Sequence, residues 1–312
     1  MLRVGHLSVD DVERAVALSS GVGWNQTPED WARMLALAPE GVFGAFDAER
    51  LVATSSLVAY GDALAWIGMM IVDTAYRRRG LGTRLLDAAL AAAPVASTRV
   101  IGLDATDLGV PLYRRRGFVA VEPIDRWGGT LSTARWPSGA DVTAVGRGAD
   151  EVGADEVGAI AVRAAEIRAV EIRAVEPSDT ASLAAWDAHR TGIPRTALIM
   201  QLLRAPHAHG WLAQRSGQLV GYAVVRPGRT QRHLGPLVAD DATTARALLA
   251  SVADGLDGAP LFADVVRSDA TSAVFASVGL RVERRLTRMT RSRSRRVLSG
   301  IPVWATAGLE WG

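Results

Sequence analysis

Residues 76–90 read YRRRGLGTRLLDAAL, and this stretch decides the fold. Arg77, Arg78 and Arg79 run straight into Gly80-Leu81-Gly82-Thr83, and a helical leucine pattern follows at once. Upstream, residues 64–72 (LAWIGMMIV) read as a buried strand. Downstream, residues 84–93 (RLLDAALAAA) read as a helix with Leu85, Leu86 and Leu90 on one face. A helix start carries unpaired backbone N–H groups and the positive end of the helix dipole. Glycines there remove the side chains that would keep a ligand off the backbone. The arginines add positive potential. Together these features predict a cradle for a diphosphate. The dinucleotide pattern G-x-G-x-x-G is absent, and so is the G-K-[ST] of a phosphate loop.

Arg77-x-x-Gly80-x-Gly82, following MMIVDTAY, resembles the acetyl-CoA-binding signature R/Q-x-x-G-x-G/A of the GNAT acyltransferases. About thirty residues on, PLYRRRGF resembles a second hallmark of that family, a tyrosine shortly before Gly-Phe. The resemblance covers most of residues 1–133. It implies that acetyl-CoA is the cosubstrate and that its diphosphate meets the backbone at Arg78, Arg79, Gly80, Leu81, Gly82 and Thr83, with Arg77 opening the motif. It also implies that Met70, Ile71 and Val72 pair with the pantetheine as if it were an added strand.

The chain repeats its own pattern. GVFGAFDAERLVATSSLVAY (41–60) matches GWLAQRSGQLVGYAVVRPG (210–228), each two strands about a tight turn. WIGMMIVD (66–73) matches HLGPLVAD (233–240), and LYRRRGFVAVEPIDRW (112–127) matches VFASVGLRVERRLTRM (274–289). Antiparallel runs followed by βαβ crossovers predict an α/β architecture with a mixed sheet, twice over. Residues 137–165 are rich in Gly, Ala and Asp and hold a tandem GADEV, which reads as a linker. The expected organisation is a catalytic GNAT domain over 1–136, the linker over 137–165, and a degenerate GNAT-like domain over 166–312. The second half lacks the Gly-x-Gly. Asp240 and Asp241 stand where phosphate would sit, and Phe275 stands in place of Tyr113.

The bulk properties agree with a globular protein. Of 312 residues, 49% are hydrophobic and 22% charged, enough for a sizeable core. Cysteine is absent, which removes thiolate nucleophiles, thiolate metal sites and disulfides, and no other metal motif is expected. The opening MLRVGHLSVDD has no apolar signal segment, so a cytoplasmic location is expected, without a membrane span. Every basic residue is arginine, yet the net charge is only +2, which argues against a general nucleic-acid binder. Eight arginines fall within 281–296; without stacking aromatics they read as the outer face of a final hairpin rather than an anionic-partner site.

The reaction implied by the resemblance is acetyl transfer from acetyl-CoA to an amine by direct attack within a ternary complex. Tyr113 is the expected general acid for the departing thiolate. Asp104, at the end of the strand beside the cofactor strand, is a candidate base or a turn carboxylate. Trp24, in the polar SSGVGWNQTPEDW segment, and Arg126 are candidate contacts to a small-molecule or peptide amine. The closing WATAGLEWG is expected to lie over a pocket. A non-catalytic acyl-CoA-binding module and a mycothiol-synthase-like acetyltransferase are the alternatives, and the amine and the oligomeric state stay open.

Overall fold

The computed structural model describes residues 2–93, 100–132, 170–292 and 303–312. The expected linker and Arg293, Arg295 and Arg296 lie outside the described residues. The first half runs β1 (Leu2–His6), α1 (Val12–Gly21), α2 (Pro28–Leu37), β2 (Val42–Asp47), β3 (Arg50–Tyr60), β4 (Leu64–Val72), α3 (Leu81–Ala92), β5 (Val100–Ala105), α4 (Val110–Arg114) and β6 (Val119–Gly129). The second runs β7 (Glu171–Ala174), α5 (Thr180–Thr191), α6 (Thr196–Leu203), β8 (His209–Arg215), β9 (Gln218–Arg226), β10 (Arg232–Ala239), α7 (Ala242–Gly255), β11 (Leu261–Val266), α8 (Asp269–Ser277) and β12 (Arg281–Ser292), with β13 (Val303–Ala305) closing the chain. The repeat read from the sequence is therefore a repeat of elements.

Local chemistry fixes the helix starts. Thr27 caps α2 in a reciprocal box with Asp30, and Pro28 occupies the first turn, where no N–H is required. Ser268 and Thr271 form the same box on α8.

The strands form one continuous 13-stranded sheet in the order β1-β2-β3-β4-β5-β12-β6-β11-β10-β9-β8-β7, with β13 on β10. The centre holds what the repeat does not reveal. Each half gives its last strand to the other. β6 pairs with β11 from Ile124↔Val266 to Gly129↔Leu261. β12 pairs with β5 from Thr287↔Ala105 to Ser292↔Val100, and β6 and β12 pair with each other. The side chains follow the backbone. Met289 of β12 is buried in the first half's core beside Leu103 and Phe118, while Trp127 of β6 is buried in the second half's core with Leu261 and Phe275. The 281–292 segment, expected to show its arginines on the outer face of a final hairpin, is a central strand that still exposes Arg281, Arg284, Arg285 and Arg291. Its pattern alone cannot tell the two apart, because both alternate in the same way.

A third core cluster lies under α1 and α2 and continues beneath α5 and α6, joining Trp31 and Met34 to Leu198 and Leu202. It surrounds a buried polar knot: Arg195 gives Nε and Nη2 to Asp187 at 2.8 and 3.0 Å, and the Tyr222 hydroxyl donates to Asp187 at 2.7 Å. No helix among the described residues is long and apolar enough to cross a membrane.

Candidate active site

The site begins where β4 leaves the sheet. β4 pairs with β5 only at Leu64↔Val100, Ala65↔Ile101 and Trp66↔Gly102. Beyond that point the two strands separate, and the β5-facing edge of Ile67–Val72 has no strand partner among the described residues. A bulge interrupts β4 here. Met69 takes φ 48 and its carbonyl accepts from the Thr54 hydroxyl at 2.7 Å. Bulges of this kind re-aim backbone groups beside functional clefts.

The chain then turns through a single 3-10 turn, Thr74–Tyr76, capped by Asp73, whose Oδ1 accepts from Ala75 N at 2.9 Å. Arg78 (φ 62) and Gly80 (φ 78) are both left-handed, and α3 starts without any side-chain cap. Left-handed residues in close succession turn successive N–H groups into an anion-binding nest. The first helical bond at this end is Arg84 N to Gly80 O at 3.0 Å, so the N–H groups of Leu81, Gly82 and Thr83 have no partner in the helix. A Cβ built at Gly80 meets nothing within 4 Å, so the mouth of the cradle is open. No ion pair among the described residues neutralises Arg77, Arg78 or Arg79; Arg79 lies over the Tyr76 ring at 5.0 Å, and Arg77 Nε donates to Val72 O at 3.3 Å.

Across the cleft, Tyr113 sits on α4, edge-on to Phe118 with ring centroids 6.0 Å apart. Gly109 makes room for it, because a Cβ there would lie 2.9 Å from Tyr113 Cε2. Burial pushes the Tyr113 phenol well above its ordinary value, so it keeps its proton. The α4 start is served by Thr106, whose Oγ1 accepts from Gly109 N at 3.3 Å.

These parts share one cleft of about 1140 Å³ that continues into the second half. Met70, Ile71, Val72, the 77–83 loop and Tyr113 line one end; Trp24, Arg126, Arg226, His233, Phe262 and Glu310 line the other. Trp24 is held there because its carbonyl accepts from Arg229 Nε at 3.1 Å and Asn25 next to it bonds the backbone at Thr230 and Gln231. Arg126 lies 4.1 Å over the Phe262 ring and gives Nε and Nη2 to Asp264, both at 2.8 Å. His233 stacks on the other side of this group, 4.5 Å from Phe262. Burial, then the charges of Arg226 and Arg126, depress its pKa well below the usual imidazole range, so it is neutral.

Asp104 also lines the cleft, but each of its oxygens accepts from Arg288, Nε and Nη2 both at 2.9 Å. The two residues face each other across β5 and β12. Burial raises the Asp104 pKa, opposed by Arg288. The guanidinium therefore holds Asp104 as its ion-pair partner and opposes its protonation.

A profile of the acetyltransferase (GNAT) family matches residues 13–118, and one described as an acetyltransferase (GNAT) domain matches residues 183–298. The chain is a tandem GNAT protein. It is 24% identical over 262 residues to the uncharacterized N-acetyltransferase YitH of Bacillus subtilis, covering 83% of this chain and 80% of YitH. Its fold is that of a Pyrococcus horikoshii protein described as an acetyltransferase (19% identity, TM-score 0.73, 100% of this chain and 96% of that one). It also matches a tandem GNAT protein of the clavulanic acid pathway (15% identity, TM-score 0.60, 94% and 99% covered).

The second GNAT half lacks the cradle in two ways. At the start of α7, Asp241 Oδ1 accepts from Thr244 N at 2.7 Å, so a carboxylate takes the place an anion would need, and Asp240 pairs with Arg190. In addition, β10 and β11 separate after pairing at Arg232↔Leu261 and His233↔Phe262, and β13 lies in the gap. β13 pairs with β10 at Leu237↔Ala305 and Val238↔Val303, Trp304 Nε1 donates to Ala239 O at 2.9 Å, and Thr306 N donates to Asp264 O at 2.8 Å. The chain's own terminus fills the splay that its counterpart leaves free. The sequence suggested a tail over a pocket; it did not suggest that the tail becomes a strand.

Proposed function

We propose that the protein is an acetyl-CoA-dependent N-acetyltransferase whose single active site lies in the first half, residues 1–136, completed by residues of the second. The observation that carries this reading is the open left-handed turn at Gly80, in front of three unpartnered helix N–H groups and beside a strand edge with no partner. Helix N–H groups and unpaired arginines suit a diphosphate. The free edge of Met70–Val72 suits the amides of a pantetheine arm. Together they aim an acyl thioester along β4 at the part of the cleft shared by both halves.

The acceptor is a primary amine that attacks the thioester carbon directly. As the C–N bond forms and the C–S bond breaks, the thiolate needs a proton. A free thiol has a pKa of about 8.5, well below that of a buried phenol, but a donor held within reach still lowers the barrier as charge develops on sulfur. Tyr113 is that donor. Trp24 and Arg126 border the acceptor end, where Arg126 acts as a fixed wall because Asp264 neutralises it.

Tyr113→Phe tests the reading. It removes one oxygen and keeps the ring against Phe118. The expected result is a fall in kcat of about 100-fold in a thiol-release assay, with acetyl-CoA affinity by calorimetry changed less than about threefold. Unchanged turnover would remove Tyr113 from the chemistry.

A further inference from the structure

Among the carboxylates of the shared cleft, one is not fully engaged. Asp104 commits both oxygens to Arg288, and Asp264, fully buried outside the lining, commits both to Arg126. Asp30 Oδ1 accepts from Arg33 Nη1 at 2.7 Å and its Oδ2 accepts from Thr27 N at 3.1 Å. Glu310 differs. Arg226 Nη2 donates to its Oε1 at 3.2 Å and its own backbone N–H also bonds the carboxylate, but no second side chain among the described residues does so. Yet Glu310 is only 6% exposed, and what surface it has faces the cleft.

Its location is set with care. A Cβ at Gly68 would lie 2.8 Å from both Cα and the carbonyl oxygen of Glu310, so the tail rests directly on β4 and needs a glycine there. Gly68 immediately precedes the Met69 bulge, at the inner end of the free β4 edge. Trp66 Nε1 donates to Leu309 O at 2.8 Å, and the Tyr60 hydroxyl donates to Trp311 O at 2.9 Å, fixing the residues on both sides. A carboxylate is therefore anchored at the end of the strand along which the thioester is aimed, and the second half's terminus delivers it.

We propose that Glu310 is the carboxylate that receives the acceptor's ammonium group and takes its proton. The assignment rests on the acetyl-transfer reading above. The ammonium gives one proton to Oε2, and the freed lone pair attacks the thioester carbon. The C–N bond forms, the C–S bond breaks, and the sulfur takes a proton from Tyr113. The nitrogen sheds its second proton on becoming an amide, which restores the phenol through solvent, and Glu310 returns its own proton to solvent. Net, an ammonium and a thioester become an amide, a thiol and one proton. A primary ammonium has a pKa of about 10.4, so an ordinary carboxylate is a weak base towards it. Burial raises Glu310 and narrows that gap, against the lowering charge of Arg226 on β9 and the lowering hydrogen bond from its own backbone N–H; Asp30 on α2 and Asp264 on β11 raise it further.

The test is Glu310→Gln in the full chain, with a panel of primary amines, thiol release from pH 6 to 10, and acetyl-CoA affinity by calorimetry. Glutamine keeps an oxygen for Arg226, so the tail should stay seated. The expected result is a kcat/KM about 100-fold lower near pH 7, an unchanged acetyl-CoA affinity, and a deficit that shrinks as pH approaches 10 and the amine loses its proton in water. Glu310→Ala should in addition recover about tenfold with added formate, a small carboxylate that fits the vacated space. Activity within threefold of the parent, or a deficit constant across pH with no formate rescue, overturns the assignment and leaves the acetyl-transfer reading standing. If the parent protein binds acetyl-CoA but turns over none of the amines, both fail together.

Discussion

Gly82→Glu is expected to weaken acetyl-CoA binding by about 100-fold or more. A carboxylate in the first turn of α3 lies where the diphosphate meets the Leu81–Thr83 N–H groups, and like charges held together cost several kcal/mol. At about 1.4 kcal/mol per tenfold, that is two decades or more of affinity. The fold should survive, because a Cβ at Gly82 makes only ordinary contacts, 3.4 Å to Leu112 Cδ2 and 3.8 Å to Val72 Cγ2. Nothing inside the protein demands glycine at this position, so a side chain there acts on what approaches from outside. Gly82→Ala is the milder companion, with a normal melting temperature and a reduced affinity. Equal calorimetric affinities for parent and both variants would show that the diphosphate lies elsewhere.

Asp104→Ala is expected to lower stability by about 3–5 kcal/mol, because it strands a buried guanidinium. Arg288 is almost fully enclosed and lies over the Trp66 ring at 4.7 Å, and of its neighbours only Glu122 and Asp264, neither hydrogen-bonded to it, would still offset its charge. Adding Arg288→Met should recover most of the loss, since an apolar pair of similar volume often replaces a buried ion pair at little cost. Urea denaturation measures both variants. The pair joins β5 of one half to β12 of the other, so its stability effect reports on the strand exchange itself. Asp104 is placed here as the clamp that holds this seam. The double variant is therefore expected to keep acetyl transfer within about tenfold of the parent, the residual loss reflecting imperfect positioning. A folded double variant with no activity would restore Asp104 as the base.

How much of this could be read from the residues depends on distance along the chain. The uncapped turn in front of α3 was legible because all its parts fall within one short run: a strand, arginines, two glycines and a helix. The loss of the second cradle was legible for the same reason, since Asp241 caps its own helix locally. The strand exchange was not legible. β6 and β12 carry the same alternation whether they close their own sheet or their partner's, and only the three-dimensional register tells which. In sequence Arg288 is one of a run of arginines with nothing to set it apart, because its partner Asp104 lies 184 residues away. Glu310 lay in a tail whose glycines and tryptophans gave a sense of closure but no sense of direction. Its partner on β4 is Gly68, a residue without a side chain to betray the contact.

The most direct measurement is a crystal structure of the full chain with acetyl-CoA bound. The diphosphate should accept from the N–H groups of Gly82 and its neighbours, the pantetheine should run along Met70–Val72, and Val303–Ala305 should still occupy the gap beside β10. A nucleotide seated in front of α7, with β13 displaced to admit it, would contradict the account.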